Sequence, residues 1–249
     1  MTQLPLGRTR TQVNRNHAII APDGYVVSPL HGWTETEGVM LISPAMGVAV
    51  RGPRFAMYLA NLTSDSCSRT ADPGVQRLIY VLDGAVSVGG DDLSSESFAY
   101  LPPGDDSSVN SSGSARLLVF EKPYVSLDGT PAPEKIVGHL SERSAEPFMG
   151  DENARLATLL PVEPAFDMAV NVFTFDPGTP LPFVETHIME HGLYMSQGQG
   201  VYRLGENWYP VTKGDSIWMA AYCPQWFVAM GREPAQYIYY KDVHRSHLS

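Results

Sequence analysis

The sequence predicts an all-β fold built from two similar halves in tandem. Its apolar segments are short and are bounded by Gly, Pro, Asp or Ser, as expected for strands joined by tight turns. The 22 glycines and 20 prolines among 249 residues favour turns, and a helical period is missing nearly everywhere. Tyr80-Val-Leu-Asp-Gly84 is matched by Tyr194-Met-Ser-Gln-Gly198 about 115 residues later, which indicates a duplicated β-barrel.

The first half begins with a mixed stretch. Residues 1–40 are rich in Pro and Gly and are predicted to form an N-terminal arm with edge strands. Residues 41–125 are predicted to form the N-terminal barrel, because turn residues there separate short apolar runs. The strands predicted in this barrel include 47–50, 55–62, 78–82 and 115–121.

The second half follows a break in the pattern. Residues 126–152 contain several prolines and charges and are interpreted as a connector. Residues 153–249 are predicted to form the C-terminal barrel. Its predicted strands are 168–175, 192–195, 200–204, 215–219, 226–230 and 236–241.

Charge and composition exclude several classes of protein. A formal net charge of −10 repels phosphate backbones, so nucleic acid is not an expected partner. No apolar run approaches the roughly 20 residues of a membrane span, and the N-terminus lacks an apolar secretory stretch. Two cysteines are too few for a disulfide scaffold in a chain of this length. We therefore expect a soluble, cytoplasmic protein with no membrane partner.

The segment ETHIMEH, residues 185–191, carries the residues that indicate chemistry. In a strand, side chains alternate between faces, so Glu185, His187 and His191 are expected on one face. A carboxylate and two imidazoles that converge inside a barrel form a partial metal site. Gln225, which follows a Gly-Asp turn, is the candidate fourth ligand. These nitrogen and oxygen donors suit manganese or ferrous iron, and they also admit zinc or nickel.

Two other interpretations of this segment stay open. His187-Ile-Met-Glu-His191 matches the H-x-x-E-H pattern of inverzincin proteases, which requires a helix. Three prolines before the motif and Gly192 after it oppose a helix, and a strand places Glu190 on the face opposite to the histidines. Alternatively, the two histidines and Glu185 are core residues without a metal, although buried ionisable groups are costly without a partner.

The pattern resembles the cupin superfamily, whose first motif places two His and one Glu before a Gly. Here Glu185 stands where the first His is expected, His191 where the Glu is expected, and Gln225 in place of the last His. The same substitutions, together with ETHIMEHGLYMSQGQGVY, NWYPVTKGD and YIYYKD, closely resemble the (S)-ureidoglycine aminohydrolases of purine and allantoin breakdown. The likeness is strong over roughly residues 160–243 and looser over 15–125.

The resemblance implies a bicupin, two tandem cupin (double-stranded β-helix, or jelly-roll) barrels. It implies one Mn²⁺ per chain, held by Glu185, His187, His191 and Gln225, and assembly into a homo-oligomer. The implied reaction is the hydrolytic release of ammonia from (S)-ureidoglycine, which leaves (S)-ureidoglycolate.

The resemblance also implies which side chains carry out the reaction. Glu185 is expected to exchange a proton as well as to bind the metal. Lys241 matches the lysine of the family's motif and is expected to act as a proton shuttle or to bind an anionic group. Tyr237 shares a strand face with Lys241, and Tyr202 is a candidate for lining the same pocket.

The first half lacks this set of residues. Aligned by the shared glycine, Arg77 falls where His191 lies, and Ala71 and Pro73 fall at the positions of the other first-motif ligands. We therefore expect no metal in the N-terminal barrel, which leaves it for packing and subunit contact. Two other functions stay open: a cupin dioxygenase or decarboxylase acting on a small acid, and a bicupin that binds a small metabolite without turnover.

Overall fold

The computed structural model describes residues 8–46 and 52–245 and confirms the all-β prediction. Within these ranges the chain forms strands β1 to β21 and three short 3-10 helices (Pro22–Gly24, Pro44–Met46 and Leu140–Glu142), with no α-helix. It follows that the described residues contain no helix long and apolar enough to cross a membrane. The strand predicted at 47–50 lies outside the described residues.

The first half of the chain supplies one sheet of ten strands. Neighbouring strands of this sheet pair antiparallel. The strands of this sheet are β3 (Ser28–Pro29), β4 (Trp33–Ile42), β5 (Ala56–Ser68), β6 (Val75–Asp83), β7 (Ala85–Val88), β8 (Asp91–Ser94), β9 (Ser97–Leu101), β10 (Val109–Asn110), β11 (Ala115–Pro123) and β12 (Ile136–His139).

The second half supplies most of an eight-stranded sheet and all of a three-stranded sheet. The first of these contains β1 (Gln12–Val13), β2 (His17–Ile20), β13 (Ala145–Phe148), β14 (Asp151–Thr158), β15 (Met168–Phe175), β16 (His191–Gln197), β19 (Ser216–Met219) and β21 (Ala235–Asp242). The second contains β17 (Gln199–Leu204), β18 (Asn207–Thr212) and β20 (Gln225–Met230). All the strands predicted between residues 55 and 241 overlap observed ones.

Strand β2 joins a sheet of the other half of the chain, and strands β12 and β13 lie in the predicted connector. β2, near the N-terminus, pairs antiparallel with β19 of the C-terminal half. Arg10 reinforces this pairing, because its guanidinium donates two hydrogen bonds of 2.7 Å to the buried carboxylate of Asp215. Within residues 126–152, β12 joins the sheet of the first half and β13 joins the sheet of the second.

Buried apolar side chains form three cores. One fills the N-terminal barrel and includes Ile79, Val81 and Val119, and a second fills the C-terminal barrel around Phe175 and Phe227. The third lies between the barrels and contains residues of both halves. Its members include Phe55, Leu78 and Phe120 from the first half and Met168, Trp218 and Tyr240 from the second. The two barrels therefore share a continuous apolar interface.

Candidate metal centre

A cavity of about 230 Å³ lies in the C-terminal barrel. Every residue that the sequence nominates for the site lines it, although these residues come from several separate segments. They are Glu185, His187, His191, Tyr202, Gln225, Tyr237 and Lys241.

Backbone pairing places four of these residues. His191 is the first residue of β16 and lies opposite Lys241 of β21. Gln225 is the first residue of β20, and it exchanges two backbone hydrogen bonds with Glu185, of 2.8 and 2.9 Å. Pairing of β16 with β21, and of Glu185 with Gln225, thus brings groups that are far apart in sequence to one cavity.

The local structure of the motif differs from the prediction. Residues 186–190 form neither a strand nor a helix, and Glu185 makes only an isolated bridge. The expectation that Glu185, His187 and His191 share the face of one strand is therefore wrong, although all three reach the same cavity. The helix required by the inverzincin interpretation is also absent from this described segment, which excludes that interpretation. Glu190 does not line the cavity, in agreement with the prediction that it faces away from the two histidines.

His187 is oriented by its backbone surroundings. Its Nδ1 lies 3.2 Å from the carbonyl oxygen of Met189, to which it donates a hydrogen bond in the neutral tautomer that carries a proton on Nδ1. In that tautomer Nε2 has a free lone pair, and it faces the Nε2 amide group of Gln225 at 2.8 Å. Fixing of one ring nitrogen by a backbone carbonyl, with the other directed into a site, is the usual arrangement for a histidine that binds a metal.

His191 lies beside His187, with ring centroids 4.6 Å apart. It is buried, and its Nδ1 has no hydrogen-bond partner in the protein. Burial, the nearby imidazole and Lys241 lower the pKa of His191 well below its ordinary value, and burial lowers the pKa of His187. Both rings are therefore neutral at neutral pH, the state in which imidazole binds metals.

The remaining donors complete a set suited to a divalent cation. Burial raises the pKa of Glu185, while the positive charge of Lys241 lowers it. No three His, Cys, Asp or Glu side chains in residues 8–46 and 52–245 are close enough together to enclose an ion. Two imidazoles, one carboxylate and the amide of Gln225 therefore surround the cavity in an open arrangement. The donor types fit a divalent cation. The Gln225 amide directs its nitrogen toward His187, so metal binding requires this amide to rotate and present its oxygen. Glu185 must also rotate to bring its carboxylate closer to the two imidazoles.

Lys241 is the cationic group of the cavity. Burial lowers its pKa and the carboxylate of Glu185 raises it, so the two groups interact electrostatically. Tyr202 and Tyr237 are buried and also line the cavity, with ring centroids 6.5 Å apart. Burial raises the pKa of both phenols, which therefore remain protonated and can donate hydrogen bonds.

The cavity has further lining residues that the sequence did not predict. Tyr239 lies between Tyr237 and Lys241 on the same face of β21, so strand parity would have identified it. Phe173 lies opposite Tyr237 on β15 and follows from the sheet register alone. Phe148 comes from β13 in the predicted connector, where the sequence carries no signal for a cavity residue.

The first half contains an ion pair at the equivalent position. Arg77 of β6 lies opposite Glu121 of β11, just as His191 lies opposite Lys241. Their side chains are paired, with Arg77 Nε 2.6 Å from Glu121 Oε1. The alignment of Arg77 with His191 is thus consistent with the sheet register. Two opposite charges here neutralise each other in the place of a histidine and a lysine.

Comparison with known proteins identifies similar sequences along nearly the whole chain. Residues 171–240 match the model of the cupin domain. The chain is 42% identical to an (S)-ureidoglycine aminohydrolase of Arabidopsis thaliana over 97% of its own length and 80% of the relative. It is 33% identical to an (S)-ureidoglycine aminohydrolase of Escherichia coli K12, over 92% of this chain and 89% of that one.

Solved structures agree on the architecture. Bacillus subtilis oxalate decarboxylase, described with Mn(II) centres, superimposes with a TM-score of 0.69. The match covers 96% of this chain and 80% of that one at 12% identity, so the likeness is one of fold. It confirms the prediction of two tandem cupin barrels.

Proposed function

Because this chain belongs to the (S)-ureidoglycine aminohydrolase family, we infer that it hydrolyses (S)-ureidoglycine to (S)-ureidoglycolate and ammonia, a step of allantoin catabolism. The observation that supports this best is the cavity of the C-terminal barrel. It collects Glu185, His187, His191, Gln225 and Lys241 in a chain closely related to enzymes of that name. No described feature favours an oxidative or decarboxylating cupin, or a binding protein without turnover.

We further propose one Mn²⁺ per chain, held by Glu185, His187, His191 and Gln225. The orientation of His187 by the Met189 carbonyl and the unpaired Nδ1 of buried His191 support a group beyond the protein's own side chains. The absence of thiolate donors among these four suits a cation that prefers nitrogen and oxygen. When bound, such a cation supplies a positive charge that orients an anionic substrate and polarises groups coordinated to it.

Two residues of the cavity then carry out one proton transfer each. Hydrolysis removes a proton from water and adds one to the departing amine, so that the C–N bond is replaced by C–O. Glu185, whose pKa is raised by burial, is placed to accept the proton of water. Lys241, whose pKa is lowered by burial, is placed to give a proton to the amine or to hold the substrate carboxylate.

The tyrosines serve to hold the substrate. Tyr202 and Tyr237 are buried phenols that line the cavity, and their hydroxyl groups can donate to the ureido carbonyl or carboxylate of the substrate. Fixing the substrate in one pose allows water to approach only one face of its reacting carbon. A single enantiomer of the product follows from this constraint.

The experiment that tests this function measures ammonia release from (S)-ureidoglycine generated in situ. Protein reloaded with Mn²⁺, metal-stripped protein and a blank without protein are compared. We expect Mn²⁺-dependent release above the blank and one enantiomer of ureidoglycolate. Release no faster than the blank with every divalent metal tested would contradict the proposal.

The ligand set is tested separately with Gln225→Ala. Removing a ligand leaves an incomplete donor set, so we expect Mn²⁺ affinity to fall by roughly tenfold to a hundredfold or more. Isothermal titration with Mn²⁺ measures this change in the binding constant. Gln199→Ala serves as the matched control, because Gln199 is exposed on the neighbouring strand β17. Equal affinity of Gln225→Ala and wild-type protein would remove Gln225 from the site.

A further inference from the structure

Three charged residues lie directly behind the cavity, between the two barrels. Arg54 belongs to the first half and immediately precedes Phe55 and strand β5. Its Nε lies 3.0 Å from Oε1 of Glu190, and its Nη2 lies 2.5 Å from Oδ2 of Asp242. Its backbone N–H also donates to Glu190 Oε1, at 3.1 Å. One arginine of the N-terminal barrel therefore binds two carboxylates of the C-terminal barrel.

These carboxylates flank the residues of the site. Glu190 immediately precedes His191, and Asp242 immediately follows Lys241. Neither flanking carboxylate lines the cavity, whereas the imidazole and the lysine beside them do. The carboxylate of Asp242 also accepts the backbone N–H of Glu190, at 2.6 Å. Through these two carboxylates, Arg54 links the start of β16 to the end of β21 beside His191 and Lys241.

The two carboxylates need a cation. Their side chains are each only 4% exposed, whereas that of Arg54 is 41% exposed. Two buried like charges repel each other, and a buried charge without a counter-charge is strongly destabilising. Trp218 Nε1 adds only a long hydrogen bond to Glu190, of 3.4 Å. The bidentate fork of arginine is suited to hold both carboxylates at once, which a lysine ammonium does less well.

Phe55 strengthens the same contact. Its ring stacks on Tyr240 with a centroid separation of 4.0 Å, and it fills the space beside Gly192, where an added Cβ would lie 2.3 Å from Phe55 Cζ. Arg54 and Phe55 therefore contact β16 and β21 on either side of the two cavity residues. This two-residue segment of the N-terminal barrel thus packs against the strands that carry His191 and Lys241.

We propose that Arg54 is a positioning residue, through which the metal-free barrel holds His191 and Lys241 at their working separation. It touches neither substrate nor metal and acts through Glu190 and Asp242. The inference rests on the proposed function for its kinetic consequence, while the geometric consequence is independent of that function. It gives the N-terminal barrel a specific role in the activity of its neighbour.

The kinetic test compares Arg54→Gln, Arg54→Lys and wild-type protein, all loaded with Mn²⁺. We expect Arg54→Gln to lower kcat for ammonia release by roughly tenfold to a hundredfold, since small displacements of reacting groups have effects of this size. Arg54→Lys should recover part of the loss. Arg155→Gln is the matched control, because Arg155 forms an ion pair with the partly exposed Asp176 away from the cavity, and it should keep the wild-type kcat.

A second readout needs neither metal nor turnover. In metal-free protein labelled on histidine, imidazole ¹H–¹⁵N spectra report the surroundings of each ring. We expect the signals of His187 and His191 to shift in Arg54→Lys and Arg54→Gln, while those of the distant His31 and His139 stay in place. Unchanged His191 signals together with an unchanged kcat would overturn the positioning role. An inactive wild-type protein would instead contradict the proposed function, and the spectra would still decide the role of Arg54.

Discussion

Lys241 is the residue whose replacement separates chemistry from metal binding. Its side chain lies in the cavity opposite His191 but is not one of the proposed metal ligands. We expect Lys241→Met to lower kcat by about 10²–10⁴-fold, the usual contribution of a positioned acid or base, while Mn²⁺ affinity changes little. Steady-state ammonia release and Mn²⁺ titration measure the two effects.

The control for Lys241 is Lys213→Met, which removes an exposed lysine from the turn after β18. Its kcat should equal that of the wild-type protein. A Lys241→Met variant that works as fast as this control would assign the lysine a structural role only.

His17 makes stability depend on pH. It is buried in β2 and lies 2.8 Å from the hydroxyl of Tyr209, and burial lowers its pKa. The unfolded chain then binds a proton more readily than the folded protein. The stability that neutral His17 contributes is complete above about pH 6.5, the pKa in the unfolded chain, and is lost as the pH falls toward the lowered pKa.

Substitution of His17 tests this dependence. We expect His17→Gln to reduce the drop in urea denaturation midpoint between pH 7.5 and pH 5.5, because glutamine still reaches Tyr209 but does not titrate. His31→Gln, which replaces an exposed histidine, should leave the drop unchanged. Equal drops in the wild-type protein and in both variants would assign the pH dependence to other groups.

At the scale of elements, β2 completes the sheet of the C-terminal half. Its four residues are all buried, and they cover the edge of β19. Deleting residues 1–20 exposes that edge and removes Ile19 and Ile20, each of which contributes roughly 1.5–3 kcal/mol by burial. We expect a lower unfolding temperature and aggregation, measured by calorimetry and light scattering.

A shorter deletion supplies the control. Removing only residues 1–7 leaves Arg10 and both β1 and β2 in the chain. This variant should unfold at the wild-type temperature. The importance of β2 would be refuted if both deletions behaved alike.

The strands could be predicted because apolar runs and turn residues alternate regularly along the chain. The segment 186–190 could not, since strand parity assumes a ladder and these residues belong to no strand. Glu185 makes only an isolated bridge to Gln225, and the carbonyl oxygen of His187 accepts one hydrogen bond from the backbone N–H of Tyr222. His187 and Glu185 nevertheless reach the cavity, because the isolated bridge from Glu185 to Gln225 fixes where the segment runs. Identification of the residues therefore came from their types and from family resemblance, while their placement depends on long-range pairing.

At the scale of the molecule, the barrels depend on each other. Their common core includes Phe55 and Phe120 from one half and Trp218 and Tyr240 from the other. We expect residues 153–249 expressed alone to aggregate or to lack fixed tertiary structure, because this apolar face and the edge of β19 are both exposed. Near-ultraviolet circular dichroism and gel filtration test the fragment. A soluble fragment with a cooperative unfolding transition would show that the second barrel is independent.

The duplication could be predicted from the sequence, but the packing of the two copies against each other could not. Matching tyrosines and glycines reveal two barrels, since each copy repeats the same hairpin. Contacts such as Arg54 with Glu190 join residues 136 positions apart and leave no local pattern. For the same reason, the addition of β2 to the sheet of the other half is visible only in the three-dimensional structure.

The pairing of β2 with β19 has a consequence for folding during synthesis. β2 is made about 200 residues before its partner β19, an interval of roughly 10–40 seconds at 5–20 residues per second. During this interval β1 is available to pair with one edge of His17–Ile20, but the edge that pairs with β19 has no partner strand. The sheet of the second barrel is thus completed only after β19 has been translated.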